Sequence, residues 1–359
     1  MPILIAILVF CVIILLHELG HFIAAKMCGI YVKEFAFGMG PVILRKRGKE
    51  TDYVIRALPI GGSCSFEGED GGYVEGEIAP DSNPRAFNRK PVWQRMIVIL
   101  AGPLMNLILG YIVVCISLVS AKDIASTTIV GFGKESVSSN YLMKDDEILS
   151  VEGLPIFSIQ DVTYKLQSSD RKNDEGNFVF DFVVRRNGEV ITLKDVEFKP
   201  TEKDSTSIYF DFYVYPLEKN FKNVVVVGFR EGCSTARLII MTLIDMLRGK
   251  YGLNDLAGPI GVGTVISEAV SQYTFSDLMS IVSLITINVG VFNLLPIPAL
   301  DGARFVFLIV EAIRRKPVKP EVEGMVHFVG FALLMLLMVV VTFNDIAKLV
   351  TGGFAGGAK

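Results

Sequence analysis

The sequence predicts a polytopic α-helical membrane protein with four transmembrane helices, a small β-hairpin or sheet behind the first of them, and one inserted α+β domain. Three observations carry this. The 359-residue chain is 51% apolar with a mean hydropathy of +0.48, well above soluble proteins. Four apolar runs, 3–27, 96–121, 278–313 and 325–350, each reach the ~20 residues that a crossing needs. Between the second and third, residues 122–216 contain no such run and alternate strand-like pieces with polar turns, at a length suited to one small domain.

The first span, within 1–30, holds the most informative residues. From residue 2 to residue 16 there is no charged side chain; then His17-Glu18-Leu19-Gly20-His21 brings three ionisable groups into five positions, and Phe22-Ile23-Ala24-Ala25 resumes the apolar run. Ionisable groups within a spanning helix are costly and mark functional sites by default. On a helix, two histidines four residues apart share a face, where both rings reach one zinc ion at roughly 2.0–2.1 Å. Glu18 projects about 100° round the helix, placed to reach a water without ligating the metal. Zinc in such a site brings the pKa of its water to about 7. The run lacks the basic region of a signal peptide, and cleavage behind it would remove the motif, so it is expected to be retained as a span.

Residues 31–70 alternate weakly and are punctuated by Gly38-Met39-Gly40-Pro41 and Pro59-Ile60-Gly61-Gly62, which predicts a short hairpin or small antiparallel sheet. Residues 71–92, acidic and then polar with several glycines and prolines, read as a cytoplasmic loop leading into the second span at 93–121. In the module, strands are expected at 127–130, 147–151, 178–184 and 190–193 and a helix at 159–166. Residues 217–275 read as an outer-side linker with an amphipathic helix over 232–248. The third span, 276–313, is too long for one simple crossing and contains Pro296 and Pro298, which predict a bend or break. Broken backbone at membrane depth is tolerated only beside protein or a water-filled cavity, a setting suited to an active site. The fourth span is 325–350.

Orientation follows from basic residues. Arg45, Lys46, Arg47 and Lys49, then Arg89, Lys90 and Arg95, then Arg314, Arg315, Lys316 and Lys319 all belong on the cytoplasmic side. Both termini and the module at 122–216 then face outward from the cell membrane. A net charge of −3 gives no basis for nucleic-acid binding. The five cysteines show no CxxC or paired spacing and read as reduced, small apolar residues.

Two histidines do not complete a catalytic zinc site, which takes three protein ligands. Acidic or histidine candidates with apolar neighbours are Glu34, Asp301, Glu311 and His327. Asp301 stands out because it lies at the disrupted part of span three, where a metal would offset the cost of burying a carboxylate. Capping the helix behind the prolines is its competing role. Glu311 is expected to pair with Arg314 or Arg315, His327 to serve as an interface histidine, and Glu34 to sit in the hairpin.

With these residues assembled, the chain resembles the site-2 proteases, intramembrane zinc metalloproteases, and within them the bacterial regulator-of-sigma-E protease branch. The resemblance covers nearly the whole chain. It rests on His17-Glu18-Leu19-Gly20-His21, Phe37-Gly38-Met39-Gly40-Pro41, Leu58-Pro59-Ile60-Gly61-Gly62, Gly102-Pro103-Leu104-Met105-Asn106, Gly258-Pro259-Ile260-Gly261 and the Asn-x-x-Pro-x-Pro-x-Leu-Asp-Gly run at 293–302. It implies that Zn2+ is held by His17, His21 and Asp301, that Glu18 is the general base, and that Asn293, Gly38 and Gly40 serve substrate binding. It also implies a membrane re-entrant β-hairpin at 31–70 that offers a strand edge to an unwinding substrate helix. The implied substrates are transmembrane segments of single-pass proteins in the lipid bilayer, pre-trimmed by another protease, such as anti-sigma factors or remnant signal peptides. Residues 122–216 look like one PDZ-like domain, with Lys144-Asp145-Asp146-Glu147-Ile148 in place of the usual Gly-Asp-x-Ile. Ser63-Cys64 stands where the family has an aromatic.

Two rival readings are weaker. A non-catalytic scaffold would need neither Glu18 nor a third ligand, and a zinc transporter would be expected to show repeat symmetry among its spans.

Overall fold

A computed structural model describes residues 2–69, 73–74, 77–78, 83–168, 171–201, 208–250, 252, 258, 260–264, 266 and 274–351. It divides into two compact units, Met1–Val113 with Leu243–Lys359, and Val114–Thr242.

Among the described residues, α1 (Pro2–Met27), α2 (Val92–Ser120), α5 (Phe275–Leu294) and α7 (Pro320–Thr351) are the helices long and apolar enough to cross a membrane. The chain is therefore a multi-pass membrane protein. A Cβ added to Gly20 would lie 2.4 Å from the Ala101 carbonyl oxygen, so α1 and α2 approach backbone to backbone, as small residues permit in membranes.

The third span, expected over 276–313 with a bend or break at its prolines, consists of two helices. A Thr274–Asp277 capping box opens α5, which ends at Leu294. A new helix, α6 (Asp301–Arg314), begins after the proline segment. Its 14 residues make about 21 Å, short of the ~30 Å hydrocarbon core. Pro296 and Pro298 cannot continue the helical ladder, and Ala299 turns the chain at φ +76°. Glu311 of α6 also corrects the expectation of pairing with its neighbours. It takes both terminal nitrogens of Arg95 on α2, which ties α6 to the second span.

The predicted hairpin at 31–70 consists of β1 (Val32–Arg47) and β2 (Asp52–Phe66). Residues 32–37 run antiparallel to 62–66, and 44–47 run antiparallel to 52–55, while 34–37 also register against 52–55. The two long strands thus bend into four sheet positions, in the order 62–66, 32–37, 52–55, 44–47, with 62–66 at one edge. Gly38, Gly40 and Gly61 have φ of +88°, +86° and +88°, conformations costly for other residues, and they lie where the strands bend. Of the predicted loop 71–92, the described parts include a minimal pair, β3 (Tyr73–Val74) with β4 (Glu77–Ile78), and a short 3-10 turn at Phe87–Arg89; the rest lies outside the described residues.

The second unit contains β5 (Ile124–Phe132), β6 (Glu147–Val151), β7 (Leu154–Pro155), α3 (Ile159–Ser168), β8 (Phe178–Arg186), β9 (Glu189–Phe198), β10 (Phe212–Leu217) and, up to Thr242, α4 (Phe221–Leu247). The sheet runs β10-β5-β6-β8-β9, with β7 paired to β6. Phe178, Phe180, Phe182, Phe198 and Phe212 form its core with Val162 and Leu166 of α3. Residues 212–217 are not among the expected strands: Phe212-Tyr213-Val214-Tyr215 favour a strand, but Pro216 argues against one; β10 is the terminal strand of the sheet, where proline is tolerated. Asp145 occupies the left-handed region at φ +73°, and buried Asp146 pairs with Arg186 at 2.7 Å. Helix α4 starts eleven residues before the amphipathic segment predicted at 232–248. It docks on α3 through Asp161, which is fully buried. That carboxylate accepts from the Phe157 and Ser158 amides at 2.7 and 3.1 Å and from Ser234 Oγ at 2.5 Å, and pairs with Arg237 at 2.7 Å.

Candidate metal centre

Helix α1 presents His17 and His21 on one face, with their Nε2 atoms 3.2 Å apart. Asp301 opens α6 and brings Oδ2 to 3.1 Å from His17 Nε2 and 3.3 Å from His21 Nε2. Three ligands at ~2.0 Å from a tetrahedral zinc ion lie ~3.3 Å from one another, so the three atoms already form one face of such a site. Asp301 Oδ2 is buried without a hydrogen-bond partner, a costly state for a carboxylate that a cation relieves. Among the described residues this is the one group of His, Cys, Asp and Glu side chains so arranged, and its donor set suits zinc.

The surrounding helices set the tautomers. His21 Nδ1 lies 2.8 Å from the Val98 carbonyl oxygen of α2. A carbonyl can only accept, so Nδ1 carries the proton and Nε2 is free for a metal. Gly102, one turn further along α2, makes room for that ring: a Cβ there would lie 2.3 Å from His21 Nε2. Asn106, fully buried, places its carboxamide 3.2 Å from His17 Nδ1. With Nδ2 toward the ring, Oδ1 is buried without a partner. Turned by 180°, Oδ1 accepts the Nδ1 proton, and His17 Nε2 is likewise freed. Gly102 and Asn106 belong to a run that carries the family resemblance, but the sequence gives no hint of their contact with the histidines, which comes from another helix.

A cavity of about 600 Å³ is bordered by His17, Glu18, His21 and Asp301 on one side and by residues 62–66, the sheet's edge, on another. A Cβ on Gly62 would lie 2.8 Å from Glu18 Cγ, so the edge strand passes directly over that carboxylate. Glu69, Arg304 and His327 border this cavity and also a second, of about 350 Å³, which holds the Arg95–Glu311 pair. Arg304 and Glu69 are themselves paired.

The other predicted positions lie apart from the cluster. Asn293 donates from Nδ2 to the Val289 carbonyl one turn back on α5, at 3.0 Å. Gly38 and Gly40 shape the bends of the sheet; neither borders the 600 Å³ cavity. Glu34 pairs with Arg56 at 2.6 Å and Arg45 at 3.3 Å within the sheet.

Residues 5–337 match the sequence profile of peptidase family M50. The chain belongs to peptidase family M50. Its M50 relatives match almost end to end. A Clostridium acetobutylicum protein named as a zinc metalloprotease is 35% identical, over 96% of this chain and 97% of its own. One of the same kind from Fusobacterium nucleatum is 33% identical, over 97% and 99%. The Bacillus subtilis regulator of sigma-W protease RasP is 30% identical, over 96% and 97%. As a member of M50, the site-2 protease family, this protein is a zinc metalloprotease of the membrane.

Proposed function

We propose that the protein cleaves transmembrane segments of single-pass membrane proteins inside the bilayer, with His17, His21 and Asp301 holding zinc and Glu18 as general base. The observation that carries this reading is the triangle of His17 Nε2, His21 Nε2 and Asp301 Oδ2, with sides of 3.1–3.3 Å, beside a cavity that Glu18 also borders. When bound, zinc supplies the Lewis acidity that polarises the scissile carbonyl and acidifies the attacking water.

Glu18 takes the proton of that water as it attacks, and passes it to the leaving amine. Val98 and Asn106 hold the two imidazoles in the tautomers that ligation needs. The substrate helix must first unwind, because its carbonyls are already hydrogen-bonded, and its freed amides need partners in a nearly dry site. Strand addition along residues 62–66 supplies them, as extended peptides do on open sheet edges. Gly38 and Gly40 serve this by bending the sheet. Asn293 contributes to substrate orientation by releasing its bond to Val289.

The reading extends to regulated proteolysis. The B. subtilis relative is named for sigma-W regulation, and an anti-sigma factor is the substrate class proposed here, alongside remnant signal peptides. By the distribution of basic residues, 122–216 lies outside the cell as a PDZ-like module and admits substrates whose ectodomains another protease has trimmed.

The deciding test is cleavage of a single-span substrate by purified protein, wild type beside Glu18→Gln, with zinc measured in both. Zinc in both and cutting by wild type alone is expected. Full cutting by Glu18→Gln would overturn the scheme.

A further inference from the structure

His327 is the chain's third histidine, and it lies outside the metal triangle. It sits in the second turn of α7, and its Nδ1 is 2.9 Å from the Ala299 backbone nitrogen. A backbone amide can only donate, so Nδ1 must be the acceptor, and the neutral ring carries its single proton on Nε2. Nε2 is buried without a partner among the described residues, although His327 borders the cavity shared by Glu18 and the three proposed ligands.

The placement of this ring is tightly determined. Ala299 holds a left-handed φ of +76°, unusual for a residue with a side chain, and that turn aims its amide at α7. Gly330, one turn beyond His327, lets α7 press on the same segment: a Cβ there would lie 2.2 Å from Pro298 Cβ. The break that delivers Asp301 to the metal triangle therefore also fixes the tautomer of His327, through the amide of Ala299 two residues before Asp301. Strain kept at such a position is often part of the working of a site. A buried N–H without a partner is itself costly, and a substrate carbonyl entering the cavity removes that cost.

We propose that His327 is a catalytic hydrogen-bond donor, giving its Nε2–H to the substrate's carbonyl oxygen at the cleavage site. This rests on the intramembrane protease reading above. The ring acts as a neutral donor, opposite in role to His17 and His21, which offer lone pairs. Preorganised donors aimed at developing negative charge are worth about 10²–10³ in kcat each.

The test uses full-length, zinc-loaded protein with three substitutions, His327→Leu, His327→Gln and Glu18→Gln, measuring kcat, KM, zinc content and thermal unfolding. Glutamine places an amide N–H close to where Nε2–H lies. His327→Leu is expected to lower kcat about 100-fold with zinc retained, and His327→Gln to recover at least tenfold of that loss. Imidazole ¹⁵N NMR of wild type, with His327 assigned by its disappearance in the glutamine variant, should show Nε2 protonated and Nδ1 bare. Unchanged kcat in His327→Leu, loss of zinc from it, or an Nδ1–H tautomer would each overturn the proposal. The NMR result stands even if the leucine variant does not fold. Activity in Glu18→Gln would instead overturn the underlying protease scheme, so the two failures are distinguishable.

Discussion

At the residue scale, the site depends on what α2 leaves out and what it supplies. Gly102 leaves room for the His21 ring. Gly102→Ala would place a methyl group 2.3 Å from Nε2, and helix backbone cannot yield by that much. It is expected to abolish zinc retention and cleavage, whereas Gly131→Ala, where nothing lies within 4 Å, should leave both unchanged. Metal analysis of the two purified variants checks this. Asn106 supplies orientation and touches no reacting atom. Outer partners of ligating histidines typically contribute 10–100-fold in metal affinity, so Asn106→Ala should weaken zinc by that factor in a competition titration with a chelator. An affinity equal to that of wild type would show that His17 needs no such partner.

At the element scale, the docking of α3 on α4 turns on one carboxylate. Asp161 satisfies two backbone amides, a hydroxyl and a guanidinium. Asp161→Ala leaves the Arg237 charge unpaired, and breaking a buried pair this way costs about 3–5 kcal/mol, readable as a lower unfolding temperature of the 114–242 unit. Helix α4 also makes that unit pH-sensitive. Burial pushes the Glu231 carboxyl up to about 7, from about 4.3 in an unfolded chain. The folded state therefore binds the proton more tightly. The stability this adds is fully present below the unfolded value and is lost as pH rises through about 7. Thermal unfolding followed from pH 5 to 8 should show wild type losing on the order of 1–3 kcal/mol relative to Glu231→Gln, whose side chain resembles the protonated acid, with the difference levelling off by pH 8. Parallel curves would mean that Glu231 is already solvated in the folded state.

At the scale of the whole molecule, the spans and the α1 motif were legible because both are local. An apolar run and an i, i+4 histidine pair need no knowledge of distant residues. Asp301 was singled out for the same reason, since two nearby prolines announce the break. Asn106 and Gly102 were not legible as neighbours of the histidines, because their partners lie 89 and 81 residues away and only packing brings them together; His327 was legible as a candidate ligand, but its bond to Ala299, 28 residues away, was not. The exact ends of the broken third span, at Leu294 and Asp301, and the early start of α4 were not legible because hydropathy does not register where a ladder stops. This same long-range assembly makes zinc a structural probe. Its proposed ligands come from α1 and α6, nearly the full chain apart, so the unfolded chain has no preformed site and metal binds the folded state alone. Binding at 1,000-fold excess over Kd then stabilises the fold by about 4 kcal/mol. Since all three ligands lie in the unit Met1–Val113 with Leu243–Lys359, a chelator should lower the unfolding temperature of that unit and leave the Val114–Thr242 transition where it was. Asp301→Ala should remove the chelator's effect. A shift of both transitions together, or a chelator effect that survives Asp301→Ala, would show that zinc acts on this protein somewhere other than the triangle of His17, His21 and Asp301.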